Sequence, residues 1–247
     1  AGELDLRAGL AGSDVVSELA RSFDALADAN TQHLETQREL LHAISHELRT
    51  PVARLRFALA GLVAADEPHR ASWRERAEAN IDELHMLLDE VLAYVRAGPT
   101  GAPQQFVGFA LEPLLRSIAD EHPEANIVID APRAARMTGN PTLIRRAVSN
   151  VVRNAVHYAR DVVRVTVRAG DPVVLTVLDD GPGLPEEADD RLFLPFVRYD
   201  RRPDGHGLGT SIASAVARRH GGTLDFSRRP PESGAEFVFR LPRGPDA

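Results

Sequence analysis

The sequence predicts two structural parts in one chain: a helical hairpin that pairs with a second copy into a four-helix bundle, and after it an α/β or α+β domain. Leucines recur every seven residues between residues 34 and 62, and a Pro-containing break separates this stretch from a second helical one. From residue 106 onward, short β-type runs alternate with helical segments. The composition, 43% hydrophobic and 26% charged, is that of an ordinary globular protein.

The hairpin is predicted over residues 31–97, with a turn near "AADEPHR", where Asp66 and Pro68 suit a helix–helix connection. Heptads on both sides of a short turn indicate two antiparallel helices. One hairpin with so narrow an apolar stripe buries little, so we expect a homodimer; the alternative is a monomeric hairpin packed on the α/β domain. The apolar positions are Leu34, Leu41, Ile44, Leu48, Val52, Leu55, Leu59 and Leu62, then Trp73, Ala77, Ile81, Leu84, Leu88, Val91 and Val95.

The second part is predicted from the runs "ANIVID", "VVRVTVRA", "PVVLTVLD" and "AEFVFRLP", which are separated by helical segments. A Gly- and Pro-rich stretch that includes "AGPTGAP" precedes it and is typical of a linker. We place the linker at residues 98–105 and the α/β domain at residues 106–243.

Composition excludes several classes of function. A net charge of −7 argues against nucleic acid as the main partner, and the absence of Cys excludes disulfides, thiolate metal sites and cysteine nucleophiles. The longest apolar runs are far too short to cross a bilayer. All 29 basic residues are Arg, so any phosphate contact has to come from Arg, His or backbone N–H groups.

The stretch "HAISHELRTPVARLRF" carries the most unusual chemistry of the hairpin. His46 lies off the leucine seam, next to Glu47, with Thr50 one turn further on the same face. Pro51 has no N–H to donate, so the helix is expected to bend there. An exposed imidazole beside a carboxylate can act as a nucleophile whose other nitrogen is held by the acid. The alternative is a solvated surface histidine without a role.

The residues "SHELRTP" resemble the H-box of two-component sensor histidine kinases. Later motifs resemble the remaining boxes of the same family, in the same order.

The helical stretch "RRAVSNVVRNAVHYA" is similar to the N-box: Asn150 and Asn154 share a helical face, and an Asn carbonyl is a suitable Mg²⁺ ligand. The resemblance implies that Asn154 binds the metal and that His157 and Tyr158 belong to the ATP site. His157 stands where the family usually has Lys or Arg. The alternative for the two Asn residues is simple surface exposure.

The strand end "VLDDGPGLP" is similar to the D-x-G-x-G box. Asp179 at this place can accept a hydrogen bond from the exocyclic amino group of adenine. Gly181 and Gly183 are expected to let the backbone approach the ligand, with φ angles that other residues avoid. Without the other boxes, a plain Asp-Gly turn would explain the stretch equally well.

Two further stretches resemble the F-box and the G-box. In "RLFLPFVRYD", the two Phe residues are expected to pack, and Arg198 is the candidate for contacting the nucleotide phosphates. "DGHGLGTSIASAVARRHGG" places a glycine-rich loop at the start of an amphipathic helix, where N–H groups can meet phosphate. Both His206 and Thr210 depart from the family pattern, which usually has a small or hydroxyl residue and Leu at these two positions. The predicted ATP-binding residues of this loop are Gly205, His206, Gly207, Leu208 and Gly209.

The resemblance covers about residues 1–243 and implies a HisKA-type dimerisation domain followed by a GHKL, or Bergerat-fold, α/β sandwich that binds ATP. Residues 1–30 resemble the connector and second helix of a HAMP linker. The first HAMP helix, transmembrane helices and sensor domain are missing, so we expect the cytoplasmic portion of a bacterial inner-membrane protein. The wording of the boxes is nearest to the RstB/EnvZ type.

The resemblance implies a kinase that uses ATP and Mg²⁺ to phosphorylate His46, with Glu47 acting on the proton of the second ring nitrogen. The phosphoryl group then passes to an aspartate of a response regulator receiver domain. A phosphatase activity toward that regulator, with Thr50 orienting the water, is also implied. Two alternatives remain open: a pseudokinase scaffold that dimerises and binds the regulator without catalysis, and an ATPase of the gyrase, Hsp90 and MutL type.

Overall fold

The computed structural model describes residues 15–97, 105–199, 206–227 and 233–244. The chain divides into two compact units, with the boundary after Leu84. Among the described helices, none combines the length and apolar character needed to cross a lipid bilayer.

The helical part consists of two long helices joined by a very short turn. α1 runs over Val15–Ala64 and continues through Pro51, and α2 runs over Glu67–Ala97. The turn lies where the sequence predicts it: the backbone carbonyl of Asp66 accepts hydrogen bonds from the N–H groups of His69 and Arg70 at 3.1 Å each. The expected helical hairpin is therefore confirmed. α1 begins at Val15, before the predicted start of the hairpin at residue 31.

The first unit holds its helices together by aromatic and ionic contacts near the turn. Phe57 of α1 meets Trp73 of α2 edge-to-face, with ring centroids 5.5 Å apart, and the Arg76 guanidinium lies 5.0 Å from the centre of the same indole. Further from the turn, Arg54 Nη1 lies 3.1 Å from Glu83 Oε2. Such exposed ion pairs contribute little to stability, so the aromatic contact contributes more than this ion pair.

The second unit is a two-layer α/β sandwich. Its main sheet has the order β2-β4-β5-β7-β6, in which β2 and β4 are parallel and all other neighbours antiparallel; β1 and β3 form a separate antiparallel pair. The elements are β1 Val107–Ala110, α3 Leu111–Ala119, β2 Asn126–Asp130, β3 Arg136–Gly139, α4 Pro141–Tyr158, β4 Val162–Arg168, β5 Val173–Asp179, a 3-10 turn Asp190–Phe193, α5 Gly209–Arg219, β6 Thr223–Ser227 and β7 Glu236–Leu241. The predicted fold class is confirmed, and the four predicted strands are β2, β4, β5 and β7.

The core lies between the sheet and the helices α3, α4 and α5. Alternate residues of β5 and β7 are buried, as expected for strands with one covered face, and include Val177 and Phe239. In α5 the eight residues 210–217 are all buried. The expectation of an amphipathic helix is therefore wrong for most of α5, because this helix packs against α4, the sheet and the 3-10 turn.

Candidate nucleotide site

A cavity of about 390 Å³ opens in the second unit, between the end of α4, the end of β5 and the start of α5. Its volume lies within the range of about 300–1,000 Å³ that is typical of small-molecule sites. The predicted ATP-site residues that line it are Asn154, His157, Tyr158, Asp179, Gly183, Arg198, His206, Gly207 and Gly209. Residues of four separate motifs thus meet around one space, while Gly205 lies outside the described residues.

Asp179 is the most deeply placed charge of the cavity, with 4% of its surface exposed. Its Oδ1 accepts hydrogen bonds from the N–H groups of Gly181 at 2.8 Å and Ala235 at 3.1 Å. Burial raises the pKa of this carboxyl, and the two N–H groups oppose that rise. Both of these bonds engage Oδ1, and within the part of the chain that the structure describes no group donates to Oδ2, so Oδ2 can accept a hydrogen bond from a ligand amino group.

The two glycines of the Asp179 loop serve different purposes. Gly183 has φ +82°, in the left-handed region that glycine occupies without strain. Gly181 has no positive φ, and the prediction of an unusual φ is wrong there. A Cβ at Gly181 would instead overlap the carbonyl oxygen of Tyr158, so this glycine permits a close approach to the end of α4. Gly181 also lies outside the lining of the cavity.

The helix α4 carries both Asn residues of the N-box, of which Asn154 lines the cavity. Asn140 caps the N-terminus of this helix: its Oδ1 accepts a hydrogen bond from the N–H of Leu143 at 2.9 Å. Asn154 is half-buried in the cavity wall, whereas Asn150 is 7% exposed and does not line it. Asn150 Oδ1 accepts from Arg153 Nη2 at 3.2 Å, and its buried Nδ2 has no hydrogen-bond partner among the described residues.

His157 and Tyr158 form the adjoining wall at the end of α4. Their rings meet edge-to-face, with centroids 4.9 Å apart and planes at 89°. His157 is exposed and Tyr158 half-buried. An aromatic surface of this kind suits a flat ligand, and His157 adds a donor or acceptor according to its protonation.

The F-box segment begins within the 3-10 turn Asp190–Phe193. Phe193 packs on Phe226 of β6, with centroids 6.0 Å apart, as expected for a packing residue. Phe196 has φ +63° and donates its N–H to the Gly207 carbonyl at 3.0 Å, which joins the F-box to the G-box. Arg198 lines the cavity with an exposed side chain.

The G-box meets the F-box through a second contact. Thr210, at the start of α5, is buried and donates its hydroxyl to the Leu192 carbonyl at 2.7 Å. The departure from the family pattern at position 210 is therefore satisfied by a hydrogen bond. Leu208 is fully buried and precedes the first turn of α5, while Gly207 has φ +73°. This arrangement leaves the first N–H groups of α5 near the cavity, where they can bind an anion.

Charged residues that the sequence does not single out also reach the cavity. Glu90, near the end of α2 and within the second unit, is 16% exposed at its side chain. Its Oε1 lies 3.2 Å from Arg153 Nη2 and its Oε2 lies 3.2 Å from His206 Nδ1. The His206 side chain is only 14% exposed. The sequence does not identify Glu90 and Arg153 as site residues, because Glu90 lies far along the chain from Arg153 and His206, which it contacts.

The carboxylate of Asp189, just before the F-box segment, accepts hydrogen bonds from two residues of that segment. The Tyr199 hydroxyl donates to Asp189 Oδ1 at 2.5 Å, and the Arg191 Nε–H donates to the same carboxylate. The hydrogen bond from Tyr199 lowers the pKa of Asp189, with further lowering from Arg191. Both Tyr199 and Leu192 line the cavity, so this contact shapes one of its walls.

In the first unit, the structure places His46 on the exposed side of α1. Its Nδ1 lies 3.7 Å from Glu47 Oε1, and the two side chains are 69% and 41% exposed. Thr50 is exposed as well, and Pro51 is buried. The imidazole is thus accessible, with one nitrogen near a carboxylate and the other, Nε2, available to solvent.

Two family models match the chain. The His Kinase A (phospho-acceptor) domain matches residues 36–100, and the histidine kinase-, DNA gyrase B- and HSP90-like ATPase matches residues 139–245. The sensor histidine kinase GtrS of Pseudomonas aeruginosa is 34% identical over 234 residues, which are 94% of this chain and 47% of that protein. This chain belongs to the two-component sensor histidine kinases. The expectation from the sequence motifs is confirmed at the level of the family.

Further comparisons agree with this assignment of the histidine kinase. The sensor protein RstB of Escherichia coli is 29% identical over 237 residues, covering 91% of this chain and 53% of that protein. The solved structure of histidine kinase ThkA in complex with the response regulator protein TrrA has a TM-score of 0.71 at 22% identity, covering 87% of this chain and 64% of that one. The last likeness shows the fold. The chain spans about half the length of the curated relatives it matches.

The cavity of this histidine kinase fits an adenine nucleotide with a divalent cation. A nearly buried carboxylate with an available oxygen suits the adenine amino group, and the Asn154 amide oxygen is a hard ligand of the kind that Mg²⁺ prefers. The N–H groups at the start of α5 and the Arg198 side chain suit the phosphates. The second unit is accordingly the ATP-binding domain of the kinase.

Proposed function

We propose that this chain transfers the γ-phosphoryl group of ATP to Nε2 of His46. The observation that carries the proposal is the pair His46–Glu47: an accessible imidazole with Nδ1 3.7 Å from a carboxylate, on a chain that also holds a nucleotide-sized cavity. Because Nδ1 faces Glu47, Nε2 is the nitrogen that is free to attack.

Different residues of the cavity bind the base, the cation and the phosphates of the nucleotide. Asp179 accepts a hydrogen bond from the adenine amino group, and Asn154 binds Mg²⁺, which neutralises charge on the phosphates. Arg198 and the N–H groups of Gly207 and Gly209 hold the phosphates. His157 and Tyr158 line the side of the bound nucleotide. In this proposal catalysis consists mainly of positioning and charge neutralisation.

The transfer step forms one bond to the γ-phosphorus and breaks another. The Nε2 lone pair of His46 forms a bond to the γ-phosphorus, and the bond from that phosphorus to the β,γ-bridging oxygen breaks, so that ADP leaves with the electron pair. The proton on Nδ1 is held or accepted by Glu47, which prevents a full positive charge from remaining on the ring. The phosphoryl group then passes from Nε2 to an aspartate carboxylate of a response regulator receiver domain.

A homodimer is supported by apolar side chains that remain exposed along the hairpin. Their exposed fractions are high for large hydrophobic residues, and contiguous exposure of this kind marks an interaction surface. A second copy of the same hairpin is the proposed occupant, since two such stripes complete a four-helix bundle. The residues are Leu41 at 63%, Val52 at 43%, Leu59 at 47%, Val63 at 87%, Ile81 at 40%, Leu88 at 54% and Val95 at 50%.

Three finer features belong to the same proposal. Residues 1–30, of which the structure describes 15–30, are part of a HAMP linker, and the chain is the cytoplasmic portion of a bacterial inner-membrane kinase. The domain limits are residues 31–97 for the hairpin and 106–243 for the ATP-binding domain. Thr50, exposed one turn beyond His46, orients the water that dephosphorylates the regulator.

The test of phosphotransfer is incubation of the chain with Mg²⁺ and γ-labelled ATP. A label that is lost in acid, retained in base and absent from His46→Ala supports the proposal. His42→Ala is the matched control, because His42 is also exposed and lies one turn earlier on α1. Nucleotide binding without label would favour a pseudokinase scaffold, and continuous ADP release without phosphoprotein would favour an ATPase.

The test of the dimer is sedimentation equilibrium. The wild-type chain is expected at twice its mass of 26.9 kDa. Leu41→Glu should shift it toward the monomer, whereas Arg49→Glu, an exposed polar position on the same helix, should not. A monomeric wild type at micromolar concentration would contradict the proposal.

A further inference from the structure

Asp180, next to the buried Asp179, joins two segments of the ATP-binding domain through its side chain. Its Oδ1 accepts hydrogen bonds from the N–H groups of Arg160 at 2.8 Å and Asp161 at 3.1 Å. Its Oδ2 accepts from Asp161 at 3.1 Å and from Val162 at 3.2 Å. One carboxylate therefore binds three consecutive backbone N–H groups.

These three N–H groups belong to the turn between α4 and β4. α4 ends at Tyr158 and β4 begins at Val162. The pairing of β4 with β5 ends where Val163 faces Asp179, so the Asp180 carboxylate continues the contact between the two segments beyond the last strand pair. Hydrogen bonds from N–H groups to an ionised carboxylate are stronger than those between neutral groups.

The Asp180 carboxylate is ionised at neutral pH. Partial burial by itself would raise its pKa, but the N–H groups of Asp161, Arg160 and Val162 outweigh burial and lower the pKa of Asp180 below its ordinary value. Asp180 does not line the nucleotide cavity, so it has no direct contact with a ligand there.

The adjoining backbone shows how closely the two segments approach. The carbonyl oxygen of Tyr158 occupies the space that a Cβ of Gly181 would take. On one side of this contact the end of α4 presents His157 and Tyr158 to the cavity, and on the other side β5 presents Asp179. A small movement of the turn would therefore change the space between the aromatic wall and the adenine-binding carboxylate.

We propose that Asp180 is a positioning residue of the nucleotide site, whose carboxylate fixes the end of α4 against the Asp179 loop and so sets the width of the adenine pocket. This proposal rests on the proposed nucleotide-binding function. It assigns to Asp180 an effect on base recognition, and not only on folding stability.

The experiment compares wild type, Asp180→Ala, Asp180→Asn and Asp225→Ala in the full chain. Asp225 is a matched control because it is an exposed acid of the same sheet, paired with Arg240. Calorimetric titration gives Kd for ATP and for GTP, and hydrogen exchange gives the opening of the amides at residues 160–162. Thermal unfolding is followed in parallel.

Asp180→Ala should raise the Kd for ATP about tenfold, equivalent to about 1.4 kcal/mol, and reduce the preference for ATP over GTP. The amides at 160–162 should exchange faster. Asp180→Asn retains the Oδ1 acceptor and should show a smaller change of about two- to threefold, since one charge-assisted acceptor is lost. Asp225→Ala should leave both nucleotide affinities unchanged.

A lower unfolding temperature with unchanged Kd and unchanged ATP preference would overturn the proposal, because the carboxylate would then only close the turn. Unchanged exchange at residues 160–162 would overturn it as well. If Asp180→Ala does not fold, Asp180→Asn decides the question by the same two readouts. Failure of the wild type to bind ATP would instead refute the proposed nucleotide site, so the two failures are distinguishable.

Discussion

His220 provides a prediction about pH that can be worked out from its contacts. The side chain is 7% exposed at the end of α5 and stacks on Phe106, with ring centroids 4.8 Å apart. Its Nδ1–H donates to the Val216 carbonyl at 2.8 Å, and its Nε2 accepts from the backbone N–H of Asn140 at 3.0 Å. This pattern uses both nitrogens of a neutral imidazole, and a second proton on Nε2 would face the N–H of Asn140.

Burial lowers the pKa of His220 below its ordinary 6.5, the Val216 carbonyl partly opposes this, and the nearby Arg219 charge lowers it further. The unfolded chain therefore binds more protons than the folded one below pH 6.5, so stability falls as pH falls from 6.5 toward the folded pKa. A histidine that stays neutral in the fold would make the domain about 1.4 kcal/mol less stable at pH 5.5 than at pH 7.5.

The assay is hydrogen exchange of the core amides of β5 and β7 at pH 7.5 and 5.5, corrected for the intrinsic rate at each pH. The opening free energy of wild type is compared with that of His220→Gln, which does not titrate in this range and can offer an oxygen to Asn140. Wild type should lose up to about 1.4 kcal/mol more than the variant between the two pH values. Equal losses would refute the reasoning, because they would place the proton uptake elsewhere in the domain.

Three substitutions test other parts of the ATP-binding domain. Thr210→Val leaves the Leu192 carbonyl without its donor and should lower the unfolding free energy by about 1–3 kcal/mol in urea titrations; an unchanged midpoint would show that the hydroxyl is not needed. Asp179→Asn keeps an oxygen for the two backbone N–H groups but presents an amide donor to the adenine amino group, so calorimetry should give a Kd for ATP at least about tenfold higher. An unaltered Kd would argue against adenine recognition by this side chain. Gly183→Ala should cost about 1–2 kcal/mol from its positive φ, and Gly181→Ala should unfold at a lower temperature still, because its Cβ overlaps the last carbonyl of α4; the reverse order would contradict the close approach.

The walls of the cavity were predictable from sequence because each is a short local motif. Asn154, Asp179 and Gly207 lie in stretches of nine to nineteen residues whose resemblance to the family's boxes predicts their place in the nucleotide site. The hairpin was predictable for the same reason, since the leucine spacing is visible without tertiary information.

Other features depend on partners that are distant along the chain. Glu90 meets His206 across 116 residues, and no local pattern indicates that pairing. The same holds for His220 and Asn140, which are 80 residues apart.

Three strands also escaped prediction. β1 and β3 are only four residues long, and β6 is a polar edge strand. Such strands form because neighbouring strands offer hydrogen bonds, so a sequence pattern barely marks them.

The most direct test of the account is to identify the phosphorylated atom. Wild-type chain is phosphorylated with ATP and Mg²⁺, digested under alkaline conditions, and analysed by tandem mass spectrometry and phosphorus NMR. Since His46 Nδ1 lies beside Glu47, the account predicts one phosphopeptide that contains residue 46 and a phosphohistidine substituted at Nε2. Phosphate at Nδ1, on another residue, or on no residue despite ATP binding would contradict it.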